Sequence, residues 1–224
     1  MASNGQTEQW KPRGKSKVPY KKWQRASIKA IEADVRKQLS PKPRRLAHTL
    51  SVARMCEHLA CMYGVDPYLA RIAGLLHDWD KVVPPAELIE RARVLSIDCG
   101  VPLESMEPLL HGMVAARELP KRYPEFPNEV WHAIDCHTSA CRNMGDLDMV
   151  LFVADGIEPL RKASPGIQAT RDLVGKVPLA DVFWEAFVGG IVYVLEGGRY
   201  LLPRTIDIYN TLALERANRA RRGR

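Results

Sequence analysis

The chain has 224 residues and a net charge of +7, and 46% of its residues are hydrophobic, enough to bury the core of one substantial domain. Residues 1–25 are polar and basic, unlike a secretory leader, and the apolar stretch at 186–195 is about half the ~20 residues that a membrane span needs. A cytoplasmic protein without membrane contact is expected.

The charge is uneven. Lys11, Arg13, Lys15, Lys17, Lys21, Lys22 and Arg25 follow one another with no acid among them, and residues 216–224 are again basic and rich in arginine. Such ends can make weak contact with nucleic acid, although a solvated tail is the simpler reading. The five cysteines are an odd number without a C-x-x-C pair. They read as reduced thiols used as small hydrophobes, not as a zinc site.

In chain order the hydrophobic spacing is helical almost throughout, and no alternating stretch lasts long enough for a strand. Ser27 is placed to cap a first helix that runs to Leu39 and stops before Pro41 and Pro43. A second covers 44–63, with Gly64 where a left-handed residue commonly ends a helix. Asp66-Pro67 opens a third as cap and first-turn residues, and Pro84-Pro85 opens a fourth that reaches Val94. Shorter helices are expected at 109–119 and 128–138, then one over 146–158 stopped by Pro159. The last two cover 179–196, closed by Gly197-Gly198, and 205–218. The fold class is all-α: a single-domain helical bundle over 27–213, with a basic, disordered extension at 1–26 and an arginine-rich tail at 214–224.

Several polar residues stand in apolar places. Val52, Met55, Leu59 and Met62 follow the spacing of a core stripe, and His48 extends it by one turn. His137 likewise continues Val130 and Ile134. His58 and His132 fall on polar faces, where solvent is expected. Residues 68–76 are apolar except for Arg71 and run into His77-Asp78, and Asp155 follows the apolar run 149–154. A buried carboxylate without a partner is expensive, so it is normally paired or bound to metal. Arg161 or Arg71 could pair with either aspartate. For the whole ordered set, His48, His77-Asp78, His111, His137 and Asp155, a metal site is the better explanation. Imidazole and carboxylate together suit iron, manganese, zinc or cobalt. A carboxylate can also bridge two metals ~3.5–4 Å apart, the arrangement used to hydrolyse phosphate esters and anhydrides. His77 and Asp78 project about 100° apart on a helix, so His77 can take one metal while Asp78 sits between two.

The series Arg45-x-x-His48-Thr49, Leu76-His77-Asp78-x-x-Lys81, His111-Gly112, His137-Thr138 and Ala154-Asp155-x-Ile157-Glu158-Pro159-x-Arg161 resembles the YqeK-like branch of the HD superfamily. The segment Gly198-Arg199-Tyr200-Leu201-Leu202-Pro203-Arg204-Thr205, before Tyr209-Asn210, is similar to that branch too. The resemblance spans 44–214 and neither basic end. It implies an HD-superfamily bundle that hydrolyses a dinucleoside polyphosphate, diadenosine tetraphosphate, symmetrically to two ADP, which is bis(5'-nucleosyl)-tetraphosphatase activity. It also implies two metal ions, iron first, with manganese, cobalt or zinc as alternatives. By this resemblance His48, His77, Asp78 and Asp155 hold one ion, and His111, His137 and the bridging Asp78 hold the other. Lys81 and Arg161 match positions that meet substrate phosphates, with surface pairing as their alternative role. Thr138 is a phosphate contact or a helix cap. Catalysis is thereby assigned to Asp78, Lys81 and Arg161 around a metal-activated water. Glu158, one turn after Asp155, could orient a water or a histidine, or form a salt bridge. Two other readings are an HD hydrolase of another nucleotide (a monophosphate, alarmone or cyclic dinucleotide) and an RNA- or ribosome-binding helical protein with a structural metal. Monomer and homodimer both remain open.

Overall fold

The computed structural model describes residues 18–222, and the expected all-α class is borne out, with no strand among the described residues. The helices are α1 (Lys22–Gln38), α2 (Pro43–Tyr63), α3 (Pro67–Leu76), α4 (Pro85–Val94), α5 (Glu107–Arg122), α6 (Asn128–Cys136), α7 (Asp146–Ile157), α8 (Pro165–Leu173), α9 (Leu179–Glu196) and α10 (Pro203–Arg222). Short 3-10 turns lie at Trp79–Val82 and Leu103–Met106.

Most boundaries follow the local signals. Gly64 ends α2 at φ +74°, and the Asp66 carboxylate accepts the backbone N–H groups of Tyr68 and Leu69 at 2.7 and 3.3 Å to start α3. The first helix begins at Lys22 rather than Ser27, because Gln24 Oε1 accepts the Lys21 N–H at 2.9 Å and Ser27 is used instead to accept from the Tyr68 hydroxyl. Residues 1–17 of the expected basic extension lie outside the described residues. The last helix continues to Arg222 because alanine and arginine propagate helix well. The sequence reading omitted α8, although Ser164-Pro165 carries its start signal and Ser164 Oγ accepts the Ile167 N–H at 3.4 Å.

The main core gathers apolar residues of α1, α2, α3, α5, α6, α7 and α9, and a smaller cluster joins α4 and α5 to Leu202. The second and third helices form the tightest pair. Gly74 makes this approach possible: a Cβ there would lie 2.6 Å from Ala53 Cα and 3.0 Å from Cys56 Sγ. Gly74→Ala is therefore expected to lower stability by about 1–3 kcal/mol, as overpacking does. Denaturant unfolding checks this, and a wild-type midpoint would contradict the close contact. No helix among the described residues is long and apolar enough to cross a membrane.

Two sequence readings are corrected. Cys56, Cys61 and Cys99 are free thiols, as expected, but Cys136 and Cys141 form a disulfide. The turn after α6, with Ala140 at φ +59°, brings their Cα atoms to 5.3 Å, a return of the chain that residue spacing does not reveal. His58 is buried rather than solvated. Its neighbours on α2, Ser51 included, are covered by packing on more than one side of the helix, so the polar face there is not a wet face.

Candidate metal centre

Five helices bring the polar residues together. His48 lies in the second turn of α2, and His77 ends α3 with Asp78 directly after it. His111 stands early on α5, His137 follows the end of α6, and Asp155 lies in the last turn of α7. His77, Asp78, His111 and His137 are each at most 3% exposed. The ring centroids of His48 and His77 are 5.7 Å apart, those of His77 and His137 5.1 Å, and those of His111 and His137 5.0 Å.

All four imidazoles are turned the same way. Nδ1 of His77, His111 and His137 lies 2.8, 3.1 and 2.6 Å from the carbonyl oxygens of Gly74, Pro108 and Ile134. Nδ1 of His48 lies 3.0 Å from Glu158 Oε1. For His77, His111 and His137 the carbonyl acceptor at Nδ1 places the proton there and leaves Nε2 as a lone pair. The Nε2 atoms of His111 and His137 then face each other at 3.1 Å, and two lone pairs that close repel unless a cation draws on both. His48 Nε2 and His77 Nε2 are buried without a hydrogen-bond partner. His48 Nε2 nevertheless lies 2.9 Å from Asp155 Oδ1. These orphaned, convergent donors fit a metal, and two triads have ligand atoms close enough to share an ion: His48, His77 and Asp155, and His77, Asp78 and His137.

The protonation states differ among the imidazoles. Burial lowers His48, but the facing Asp155 and Glu158 carboxylates outweigh it and raise the ring to about 9, a proton that a metal at Nε2 would displace. Burial, reinforced by His111 and His77, pushes His137 down to about 3, so the ring is neutral. Burial also lowers His111. Burial works against ionised Asp78 and Asp155, yet both stay well below the usual carboxylate range: His77 and His111 face Asp78, and Arg161, His48 and His77 surround Asp155. Asp78 spans the cluster. Its Oδ1 is 3.2 Å from His111 Nε2, and its Oδ2 is 3.4 Å from His77 Nε2 and 3.7 Å from His48 Nε2.

The arginine partners foreseen from sequence are realised in part. Arg161 Nη2 donates to Asp155 Oδ1 at 2.7 Å, and its Nε donates to the Asp155 carbonyl. Arg71 pairs instead with Glu57 and Glu32. The sequence reading gave no role to Arg45, whose Nη1 donates to Asp78 Oδ2 at 2.8 Å; its place one turn before His48 was the available signal. Lys81 Nζ donates to the Pro108 carbonyl at 3.0 Å, next to the turn that carries His111. Thr138 Oγ1 is buried without a partner. Arg171 clamps the chain after α7 by donating to the carbonyls of Ile157, Glu158 and Arg161, a long-range role that its sequence position does not betray.

Of the alternatives for Glu158, the contact with His48 Nδ1 is the one the geometry supports. Glu158 is 1% exposed, and its other oxygen accepts the Leu160 N–H at 2.7 Å. Glu158→Gln is expected to weaken metal retention roughly tenfold or more, the usual effect of removing a carboxylate that orients a ligating histidine. Metal content after dialysis against a graded chelator measures it; unchanged retention would make the pair a structural salt bridge only.

Fold and cluster together define a helical, metal-dependent hydrolase, and the chain belongs to the HD domain family, which it matches over residues 45–160, the whole span of the six residues. The motif resemblance to one branch is also borne out by relatives. A Halalkalibacterium halodurans protein named symmetrical bis(5'-nucleosyl)-tetraphosphatase is 30% identical over 173 residues, 76% of this chain and 90% of that one. A Bacillus subtilis protein of the same name is 29% identical over 180 residues, 80% of this chain and 94% of that one. A Clostridium acetobutylicum crystal structure, described as a predicted HD superfamily hydrolase involved in NAD metabolism, matches with a TM-score of 0.74 at 29% identity, covering 84% of this chain and 97% of that one.

Proposed function

We propose that the protein is a symmetrical bis(5'-nucleosyl)-tetraphosphatase, a cytoplasmic di-metal hydrolase that cleaves diadenosine tetraphosphate into two ADP. The observation that carries this reading is the convergence of four imidazole Nε2 atoms on two ionised carboxylates. The named relatives, of which the chain spans 90% and 94%, supply the substrate. His48, His77, Asp78 and Asp155 would hold one ion, and His111, His137 and Asp78 the other. Iron is the metal that the motif resemblance implies. Two such cations supply Lewis acidity and an acidified water near neutral pH.

The chain's own residues position and neutralise the substrate. Arg161 is fixed by two bonds to Asp155, which holds its guanidinium beside the cluster, where it would meet substrate phosphates. Lys81, whose pKa burial lowers, exchanges its bond to the Pro108 carbonyl for a phosphate oxygen. Thr138 offers an unused hydroxyl to a neighbouring phosphate. These cationic groups stabilise charge as it gathers on the oxygens of the bond being cut. ADP departs as a stable anion, so no strong general acid is required.

Incubating the iron-loaded protein with diadenosine tetraphosphate and separating the products tests this. Two ADP and no other nucleotide is the expected result. AMP with ATP would overturn the symmetrical cut, and no product from metal-loaded protein would transfer the site to another nucleotide.

A further inference from the structure

A second cluster of reactive side chains borders the metal centre without belonging to it. The Cys136–Cys141 disulfide closes a ring that contains His137, Thr138 and Ser139. Ser139 Oγ accepts from Arg204 at 3.0 Å, and the Ala140 N–H donates to the Cys136 carbonyl at 2.9 Å. His132 Nε2 lies 3.6 Å from Cys141 Sγ and 3.8 Å from Cys136 Sγ, while its Nδ1 is held 2.8 Å from Asp148 Oδ2. Cys136 is buried, whereas Cys141 is partly exposed and the His132 side chain is 46% exposed, so reagents reach the cluster from the Cys141 side. Hydrolysis uses none of these three residues.

We propose that Cys136 and Cys141 form a reversible thiol–disulfide modification site whose closure holds His137 in place for the metal. The effect on the metal rests on the proposed reading of His137 as a ligand. In the forward direction, the Cys141 sulfur attacks one sulfur of a small-molecule disulfide, RSSR, and expels one RSH, leaving a mixed disulfide on Cys141. The Cys136 sulfur then attacks Cys141 Sγ and expels the second RSH. The two cysteines lose two electrons, RSSR gains them, and the two thiol protons end on the two RSH, with His132 beside both sulfurs to relay them. A dithiol reductant runs the exchange backward. An accessible pair of this kind in a reducing compartment is characteristically transient and redox-sensing rather than permanent. Without the bridge, the ring is closed only by the Ala140–Cys136 backbone bond, and His137 loses its covalent restraint.

The test equilibrates the full-length protein with mixtures of reduced and oxidised glutathione, alkylates the free thiols, and maps the label by mass spectrometry. Metal content is measured in parallel against a graded chelator. Cys136 and Cys141 should lose label together as the mixture becomes oxidising, and the bridged protein should hold its second metal roughly tenfold more tightly than the reduced protein, the usual size of a positioning effect at a metal ligand. Cys141→Ser should remain in the weak state in every mixture. Alkylation of both cysteines under oxidising conditions, or equal metal retention in both states, would overturn the proposal. So would an additional zinc in the reduced protein with a thiolate charge-transfer absorption that Cys141→Ser abolishes, since the cluster would then be a metal site. Normal bridging in a protein that binds no second metal in either state would support the modification site but overturn the ligand reading of His137.

Discussion

Asp78→Ala is expected to abolish turnover and metal loading together, with a loss of at least ~10³-fold in kcat, equivalent to about 4 kcal/mol of barrier. The reason is the division of labour between its two oxygens. Oδ1 faces His111, and Oδ2 faces His77 and His48 while accepting from Arg45. Among the described residues no other carboxylate touches both halves of the cluster, since of its four histidines Asp155 meets His48 and His77. Alanine would also leave the guanidinium of Arg45 beside histidines with no anion between them, so some loss of stability accompanies the loss of metal. Asp78→Asn separates the two effects. It keeps the shape and a hydrogen-bond acceptor for Arg45 but removes the charge that a bridging ligand needs. The asparagine variant should fold close to wild type and still lose one metal per chain. Elemental analysis with turnover measurement decides the matter: an alanine variant that keeps two metals and normal kcat would sink the bridging role.

How far this centre could be read from the sequence depended on what kind of information placed each residue. His48 and His137 were legible because each extends an apolar stripe on its own helix, and a stripe is a local property. Asp155 and the His77-Asp78 pair were legible because they end long apolar runs, where an ionisable group must be explained. His111 was not legible in this way: no apolar stripe or long apolar run leads to it, and only its order in the series pointed to it. The same local logic misplaced His58, because α2 is packed on more than one side and its polar stripe is covered. Contacts across the fold were out of reach. Glu158 meets His48 from a position 110 residues away, and Arg45 meets Asp78 across 33 residues. The turn that brings Cys141 back to Cys136 depends on Ala140 adopting a left-handed backbone, which nothing about alanine predicts.

Gly112→Ala is the second substitution expected to act strongly, although Gly112 is itself neither a ligand nor a substrate contact. A Cβ at this position would lie 2.7 Å from the Ile134 carbonyl oxygen, 2.7 Å from His137 Cε1 and 2.9 Å from His137 Nδ1. The Ile134 carbonyl and His137 Nδ1 are the two partners of the bond that turns Nε2 of His137 inward. One methyl group would therefore press on both ends of that bond and on the ring itself. None of these atoms is the free end of a flexible side chain, so relief requires α5 and α6 to move apart. That movement carries His111 away from His137, because His111 directly precedes Gly112 on α5. The stability loss should be about 1–3 kcal/mol, in the range of overpacked cores. The activity loss should be larger in proportion, on the order of 10²-fold, since a displacement near 1 Å at a reacting centre has that effect. The two measurements together discriminate. A folded variant by circular dichroism, with lowered kcat and weakened retention of the second metal, is the expected result. A folded variant with full activity and two tightly held metals would mean that the helices have room for the methyl group, and that the approach of α5 to α6 does not set the His111–His137 spacing.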